Sequence, residues 1–391
     1  MGSRVAWCAV VAWSAVVVGA FAAPVQEGVV RVEAAPRSMR IHLSVDAERV
    51  RIRELRPFQS PSDASTAPVV WEGSVPADGT VVVDRRADRR DRLYSRFLAE
   101  EEGAGRALGT PTYATDLSAL PAHTFDFPRP ESPKGLSGIV MQDDLQTLGV
   151  KYPKDNVVLR HMIAWDDSVP SEEWTVDGHT VRMNLDYVRR LDRRYRRMTD
   201  AGMNISVVVL NQVLPGMGAG HPLIHPETDV ENAPNRLGAF NLTDEEGVRL
   251  YRACLEFFAH RYSDPSGEHG WVANYIIGNE LQAHWYWHNT GRMPKERVMR
   301  EYATAVRLAW LAVRRYHEQA RVYISMTHGW DSMSADDPLR LIKGTDVIEL
   351  MNRYGKEEGD FPWRVGFHPY PQDLLDPRFW TDHRAVMTLD T

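Results

Sequence analysis

The chain has 391 residues, 43% of them hydrophobic and 25% charged, with a formal net charge of −7 at pH 7. That length suits two domains, or one large domain with an accessory, and the composition is that of a globular protein able to bury a large core. The acidic balance argues against nucleic acid as a partner.

In chain order, the first signal is a leader. Arg4 precedes an apolar run from Val5 to Phe21, and Ala20-Phe21-Ala22 supplies a small-x-small cleavage site before Pro24. Residues 1–22 are expected to be a signal peptide, implying a secreted or periplasmic protein with no membrane association after cleavage. No second apolar stretch of about 20 residues follows. Cys8 lies inside the leader, so the mature chain keeps Cys254 without a disulfide partner, and its thiol is expected to be buried and inert.

Residues 25–128 contain short alternating or β-branched runs, "VVRVEAAPRSMRIHLSV", "RVRIREL", "VVWEGSV" and "GTVVVDRR", separated by Pro, Asp, Ser and Gly. This is the pattern of strands and turns, so a small β-rich, sandwich-like accessory domain is expected. The stretches "RLYSRFLAEE" and "LGTPTYATDL" would add one more hairpin. Pro121, Pro128, Pro130 and Pro133 mark a linker.

From 129 to 391 strands and helices alternate. "SGIVM" precedes "DDLQTLGV", "NVVLRHMI" precedes an arginine-rich helix, and "NISVVVLN" precedes "TDEEGVRLYRACLEFFAHRY". The arginine-rich segment places Leu185, Val188, Leu191, Tyr195 and Met198 on one face, leaving its arginines as a solvated outer surface. Asn184 and Gly202 bracket that helix, and Thr243 with Glu246 reads as a capping box for the next. "VANYIIGNE", a long helix from Glu296, "RVYISMTHGW", a helix within 337–353 and "WRVGFHPYP" continue the series, and "AVMTLD" near the end is a further fragment. No repeat of fixed period interrupts it.

A doubly wound sheet and a (β/α)8 TIM barrel share this local pattern. The barrel is favoured because nearly every strand ends in polar or aromatic residues: Arg160-His161, Asn211-Gln212, Asn279-Glu280, His328 with Trp330, and His368 with Tyr370. Only a barrel gathers the ends of that many strands at one mouth. The Gly- and Pro-rich segment "QVLPGMGAGHPLIHPETDVENAPNRLGAFN" is expected to overhang the mouth and bring His221 or His225 toward a substrate.

Within "YIIGNELQAHWYWHNTG", Glu280 sits at a strand end among Trp285, Tyr286 and Trp287. A carboxylate so desolvated should have a raised pKa and serve as a general acid. Sugar faces stack on indoles, so protonating a glycosidic oxygen combines the two features. Asn279 offers an amide for a sugar hydroxyl. As structural alternatives, Trp285 and Trp287 fill a packing layer, and His284 and His288 are core-bonded or solvent-facing.

"IIGNE" resembles the fourth-strand signature of the retaining glycoside hydrolases built on the (β/α)8 barrel. "SPKGL", "LGVKYPKDNVVL", "THGW" and "FHPYP" are similar to a group of secreted bacterial proteins in that clan. The resemblance implies Glu280 as acid/base with Asn279 beside it on a carbohydrate substrate. It implies sugar- or nucleophile-contacting roles for His368 and Tyr370, and substrate contacts for Asn211, His328, Trp330 and Arg160; the residues around Glu280 add His284, Trp285 and Trp287 as substrate-binding candidates. It implies no metal and no cofactor. It also implies a Glu nucleophile ending a seventh strand, whereas "FHPYP" is followed by Asp373, Asp376, Asp382 and Asp390 and no Glu. The expectation is therefore a C-terminally incomplete barrel with its nucleophile beyond residue 391, or Asp390 or Glu349 as a substitute.

Two rivals remain. Glu280, His284 and His288 are spaced four apart, as zinc ligands on one helix face would be, although the HExxH spacing is absent. A secreted carbohydrate-binding protein without hydrolysis would keep the same aromatic mouth.

Overall fold

The structure is a computed structural model describing residues 27–137, 142–218, 220–328, 330, 337–368 and 378. The signal-peptide segment, Tyr370 and the "AVMTLD" fragment lie outside the described residues.

The alternating runs of the first hundred residues form two antiparallel sheets. One pairs Gly28–Ala34, Ser38–Ser44 and Thr80–Asp84; the other runs Val69–Ser74, Arg49–Leu55, Arg96–Glu101, Ala107–Thr112 in spatial order. The last two strands are the hairpin expected from "RLYSRFLAEE" and "LGTPTYATDL". Inward residues such as Val32, Ile41, Ile52 and Phe97 are buried, as period-two alternation requires when one face of each sheet packs inward.

The second part is a curled parallel sheet, a half-barrel. Its strands lie side by side in chain order: β1 (Gly135–Ser137), β2 (Tyr152–Val158), β3 (Ile205–Gln212), β4 (Val272–Ile277), β5 (Arg321–Met326) and β6 (Arg364–Phe367). Each pairs in parallel with the next. The helices are α1 (Gln142–Thr147), α2 (Leu159–Met162), α3 (Leu185–Asp200), α4 (Glu245–Arg261), α5 (His284–Trp287), α6 (Lys295–Tyr316) and α7 (Gly344–Glu357). Strands of order 1-2-3-4-5-6 wound in one sense are what a barrel needs and a doubly wound sheet lacks.

Local sequence accounts for most boundaries. Asn184 caps α3 by accepting from the Tyr187 amide, and Val188, Leu191, Tyr195 and Met198 form its buried stripe. The cap of α4 is Asp244, which accepts from the Gly247 amide, and not Thr243, whose hydroxyl instead donates to Asn241. A carboxylate one residue closer to the helix captures the free amide first. "NVVLRHMI" is not strand throughout: Arg160 and His161 lie on α2, a single turn. Cys254 is fully buried and burial pushes its thiol pKa up.

The proline-rich stretch is pinned to α6 rather than hanging free. The Ala122 and His123 amides donate to the Arg315 and Tyr316 carbonyls, and Phe125 and Phe127 pack on the His317 ring at 4.5 and 3.9 Å between centroids. Apolar side chains of the β-rich part and of the half-barrel form one continuous core. Between them lies a buried ion cluster. Arg85 holds Asp91 through two bonds of 2.8 and 2.7 Å, Arg315 reaches both Asp91 and Glu256, and Arg252 pairs with Asp177 while lying 3.8 Å from the Tyr94 ring centroid.

Burial acts to raise the Asp91 pKa, but the Arg85, Arg315 and Arg86 charges outweigh it and leave the carboxyl below its ordinary value. Asp91→Ala is expected to lower stability by about 3–5 kcal/mol, because Arg85 stays buried without its partner; a urea melt measures this. As Asp91 is depressed in the folded state, its contribution is present above its unfolded pKa of about 3.9 and is lost as the pH falls through the folded value. The alanine variant should show a weaker acid dependence over that window.

Candidate active site

The tips of all six strands converge. A cavity of about 530 Å³ is lined by Ser137 at the end of β1, Lys154 and Asn156 of β2, Leu210 of β3, Asn279 and Glu280 after β4, Thr327 and His328 after β5, and His368 after β6. Leu237, Ala283 and, from the last position of α5, Trp287 complete the wall.

Glu280 reaches this cavity through an unusual backbone. Gly278 has φ +68°, and Glu280 itself is left-handed at φ 43°, ψ 63°. A non-glycine residue there costs on the order of 1 kcal/mol. Neighbouring polar groups stabilise it. The Glu280 amide donates to Ser325 Oγ at 3.0 Å, the Ser325 amide donates to the Tyr302 hydroxyl, and that hydroxyl donates to the Ile277 carbonyl at 2.5 Å. Gln282 locks the next turn to β5 by donating to the Thr327 carbonyl and accepting from its amide.

His368 Nδ1 lies 2.7 Å from Glu280 Oε1, with both side chains largely buried. The His368 amide donates to the Met326 carbonyl, which anchors the histidine on β5. Burial holds the Lys154 ammonium below its ordinary pKa, with the Glu280 charge pulling it back up. In a cavity whose wall also carries the Lys154 ammonium, an imidazole thus meets the carboxylate. Such a group can give or take a proton or bind a cationic centre.

The expected site residues divide. Asn279, Glu280, Trp287, His328 and His368 share the cavity. Asn211 does not line it: its amide donates to the Leu223 and Ala239 carbonyls and so clamps the long loop onto β3. His284 is buried against the Thr290 hydroxyl at 2.8 Å, and Trp285 is buried under Arg340, 3.9 Å from its ring centroid. Trp330 is exposed and Arg160 sits on α2, neither of them in the lining. His225 turns away from the mouth to Glu301 of α6 at 2.7 Å.

The spacing of Glu280, His284 and His288 does not bring them together. His288 packs edge-on against Phe240 and Tyr302. Among the described residues no cluster of three or more potential metal ligands forms, and no helix is long and apolar enough to cross a membrane.

A family model matches residues 126–391, more than half of the chain. The chain belongs to the family of unknown function DUF5722. No curated protein matches it. Among solved structures it is similar to a β-D-glucuronidase of Dictyoglomus thermophilum, at 8% identity and TM-score 0.22 over 81% of this chain and 45% of that one. It is likewise similar to a Bacteroides uniformis β-glucuronidase, at 10% and 0.27 over 89% and 40%. A third is the chitinase ChiW of Paenibacillus sp. strain FPU-7, at 8% and 0.24 over 92% and 28%. The chain spans less than half the length of these proteins.

Lys154, Asn156, Ser137 and Thr327 line the cavity without having been singled out in the sequence. The signal was present in "YPKDNVV": Lys154 and Asn156 alternate with the buried Pro153, Asp155 and Val157, so one strand face is polar.

Burial lowers the pKa of His284 to about 4, and burial with the His284 and His225 charges lowers that of His288 to about 3. Both are depressed below an unfolded value of about 6.5, so they are neutral at pH 7, and the stability they confer is lost as pH falls toward the folded values. His288→Phe is expected to flatten the fall in unfolding free energy between about pH 6.5 and 3, as followed by denaturant melts across that range. An unchanged slope would contradict the neutral, buried assignment.

Proposed function

We propose that the protein is a glycoside hydrolase acting outside the cytoplasm, with Glu280 as general acid/base. The observation that carries this is the left-handed Glu280, held with its carboxylate 2.7 Å from His368 in a cavity walled by Trp287. Strain at a single non-glycine residue aimed into a pocket of strand tips is a common mark of a functional side chain. An indole offers an apolar face to a sugar ring, while Asn279, Asn156 and His328 supply hydroxyl-binding groups along the wall.

The reaction needs a proton delivered to the leaving oxygen and a carboxylate or activated water on the opposite face of the sugar. Glu280 supplies the first, its proton going to the leaving oxygen and its carboxylate remaining, and His368 at 2.7 Å positions that carboxyl. Among the described residues Glu280 is the one carboxylate in the lining. In the retaining mechanism proposed here, the nucleophile is a second carboxylate roughly 5–5.5 Å away, contributed from outside the described residues as the (β/α)8 barrel closes.

Glu280→Gln is expected to cut kcat/KM on unactivated oligosaccharides by about 10²–10⁴-fold. Dinitrophenyl glycosides, whose leaving group needs no proton, should suffer far less. Equal loss on both kinds of substrate, or no turnover by the unmodified protein on a broad glycan panel, sinks the assignment.

A further inference from the structure

Outside the cavity wall, between the tips of β2 and β3, lies a second aromatic surface. Trp165 is 45% exposed, the highest value among the described tryptophans that remain exposed, and its indole nitrogen donates to the Arg160 carbonyl at 2.9 Å. The His221 ring packs against it at 4.7 Å between centroids, tilted by 55°. His221 is held in turn by the Leu223 amide, which donates to its Nδ1 at 3.2 Å. The indole is therefore fixed in orientation although nearly half of it faces solvent.

Strand register ties this surface to the cavity. Val158 pairs with Leu210 and Gln212 pairs with Leu237, and both leucines line the cavity. Arg160 follows Val158 by two residues. Burial lowers the pKa of both His161 and His221, and the Arg160 charge lowers them further. Gln212 ends β3, the strand next to β2, and His161 lies on the turn that follows β2. An anchored, exposed indole presents a flat face for the C–H groups of a pyranose ring, and Arg160 and Gln212 on the adjoining segments are donors suited to its hydroxyls.

We propose that Trp165, with Arg160 and His221, forms a platform for a sugar unit away from the scissile bond, so that the substrate is an oligo- or polysaccharide chain. This rests on the glycoside hydrolase assignment for the cavity, but its test does not need turnover. A free monosaccharide would leave an immobilised indole facing water. The platform stands on the segment that follows β2, whose last residue, Val158, pairs with the cavity-lining Leu210.

The experiment is calorimetric titration of the Glu280→Gln protein with cello-, xylo- and chito-oligosaccharides, from dimer to hexamer. Affinity is expected to rise with chain length in at least one series. Adding Trp165→Ala should remove about tenfold of that rise, and Trp165→Phe should restore most of it. Because Trp165 is a surface residue, unchanged thermal melts of the variants verify that the fold is intact. Absence of binding, affinity independent of length, or a length dependence that survives Trp165→Ala overturns the platform. Loss of the platform alone leaves the Glu280 hydrolysis test standing, so the two failures are separable.

Discussion

Gly278 and Glu280 both take positive φ, and the pairing of Glu280 with His368 rests on those two backbone angles. Were the chain to continue straight from β4, alternation would dictate where the side chain pointed. The left-handed turn breaks that rule and sends the carboxylate across the sheet to β6. It is held from below by Ser325 and Tyr302, whose hydroxyls link the Glu280 amide to the Ile277 carbonyl. The same turn explains the glycine: a Cβ at Gly278 would lie 3.0 Å from His288 Nδ1 and meet the Tyr302 ring. The buried His288 and the site carboxylate are thus consequences of one local fold.

The face of the sheet that lines the cavity is polar well beyond Glu280. Asn274 donates to Asn204 and Ser206 and accepts from Tyr323 farther down the strands. Barrel interiors are more often filled by layers of branched apolar side chains. A polar interior is stable only when its groups are satisfied, and the amide and hydroxyl ladder does this across β3, β4 and β5. It leaves Lys154 and Asn156, nearer the mouth, directed at the site.

Rigidity comes from the other side of the helices. Arg307 of α6 is buried with its guanidinium 3.8 Å from the Phe361 ring centroid and donates to the Gly355 and Gly359 carbonyls. Burial lowers its pKa to about 9. With the cluster around Asp91 and Arg252, it joins α4, α6 and α7 to the β-rich part. Buried pairs of this kind contribute more to unique geometry than to net stability when compared with apolar packing. Here they set how the helices behind β4 and β5 stand, and Tyr302 belongs to one of those helices.

Several features could be read from the residues alone. Alternation in "RVRIREL" and the three-to-four spacing along "LDYVRRLDRRYRRM" encode a strand and a helix directly, because each depends on one period and one buried face. The glycine, asparagine and glutamate after "YII" likewise marked the end of β4, where Asn279 and Glu280 line the cavity. What the residues could not show is which neighbours share a space. His284, Trp285 and Trp287 lie within one turn, yet Trp287 lines the cavity while His284 is committed to Thr290, six residues on, and Trp285 to Arg340, from a segment that only folding brings near. Lys154 and His368 are far apart in the chain, and strand register across a curled sheet brings both into the cavity that holds Glu280. Local periodicity therefore determined the elements and the strand that bears the carboxylate. The partners of that carboxylate were decided by tertiary structure, since proximity between distant strands is a property of the sheet and not of any single segment.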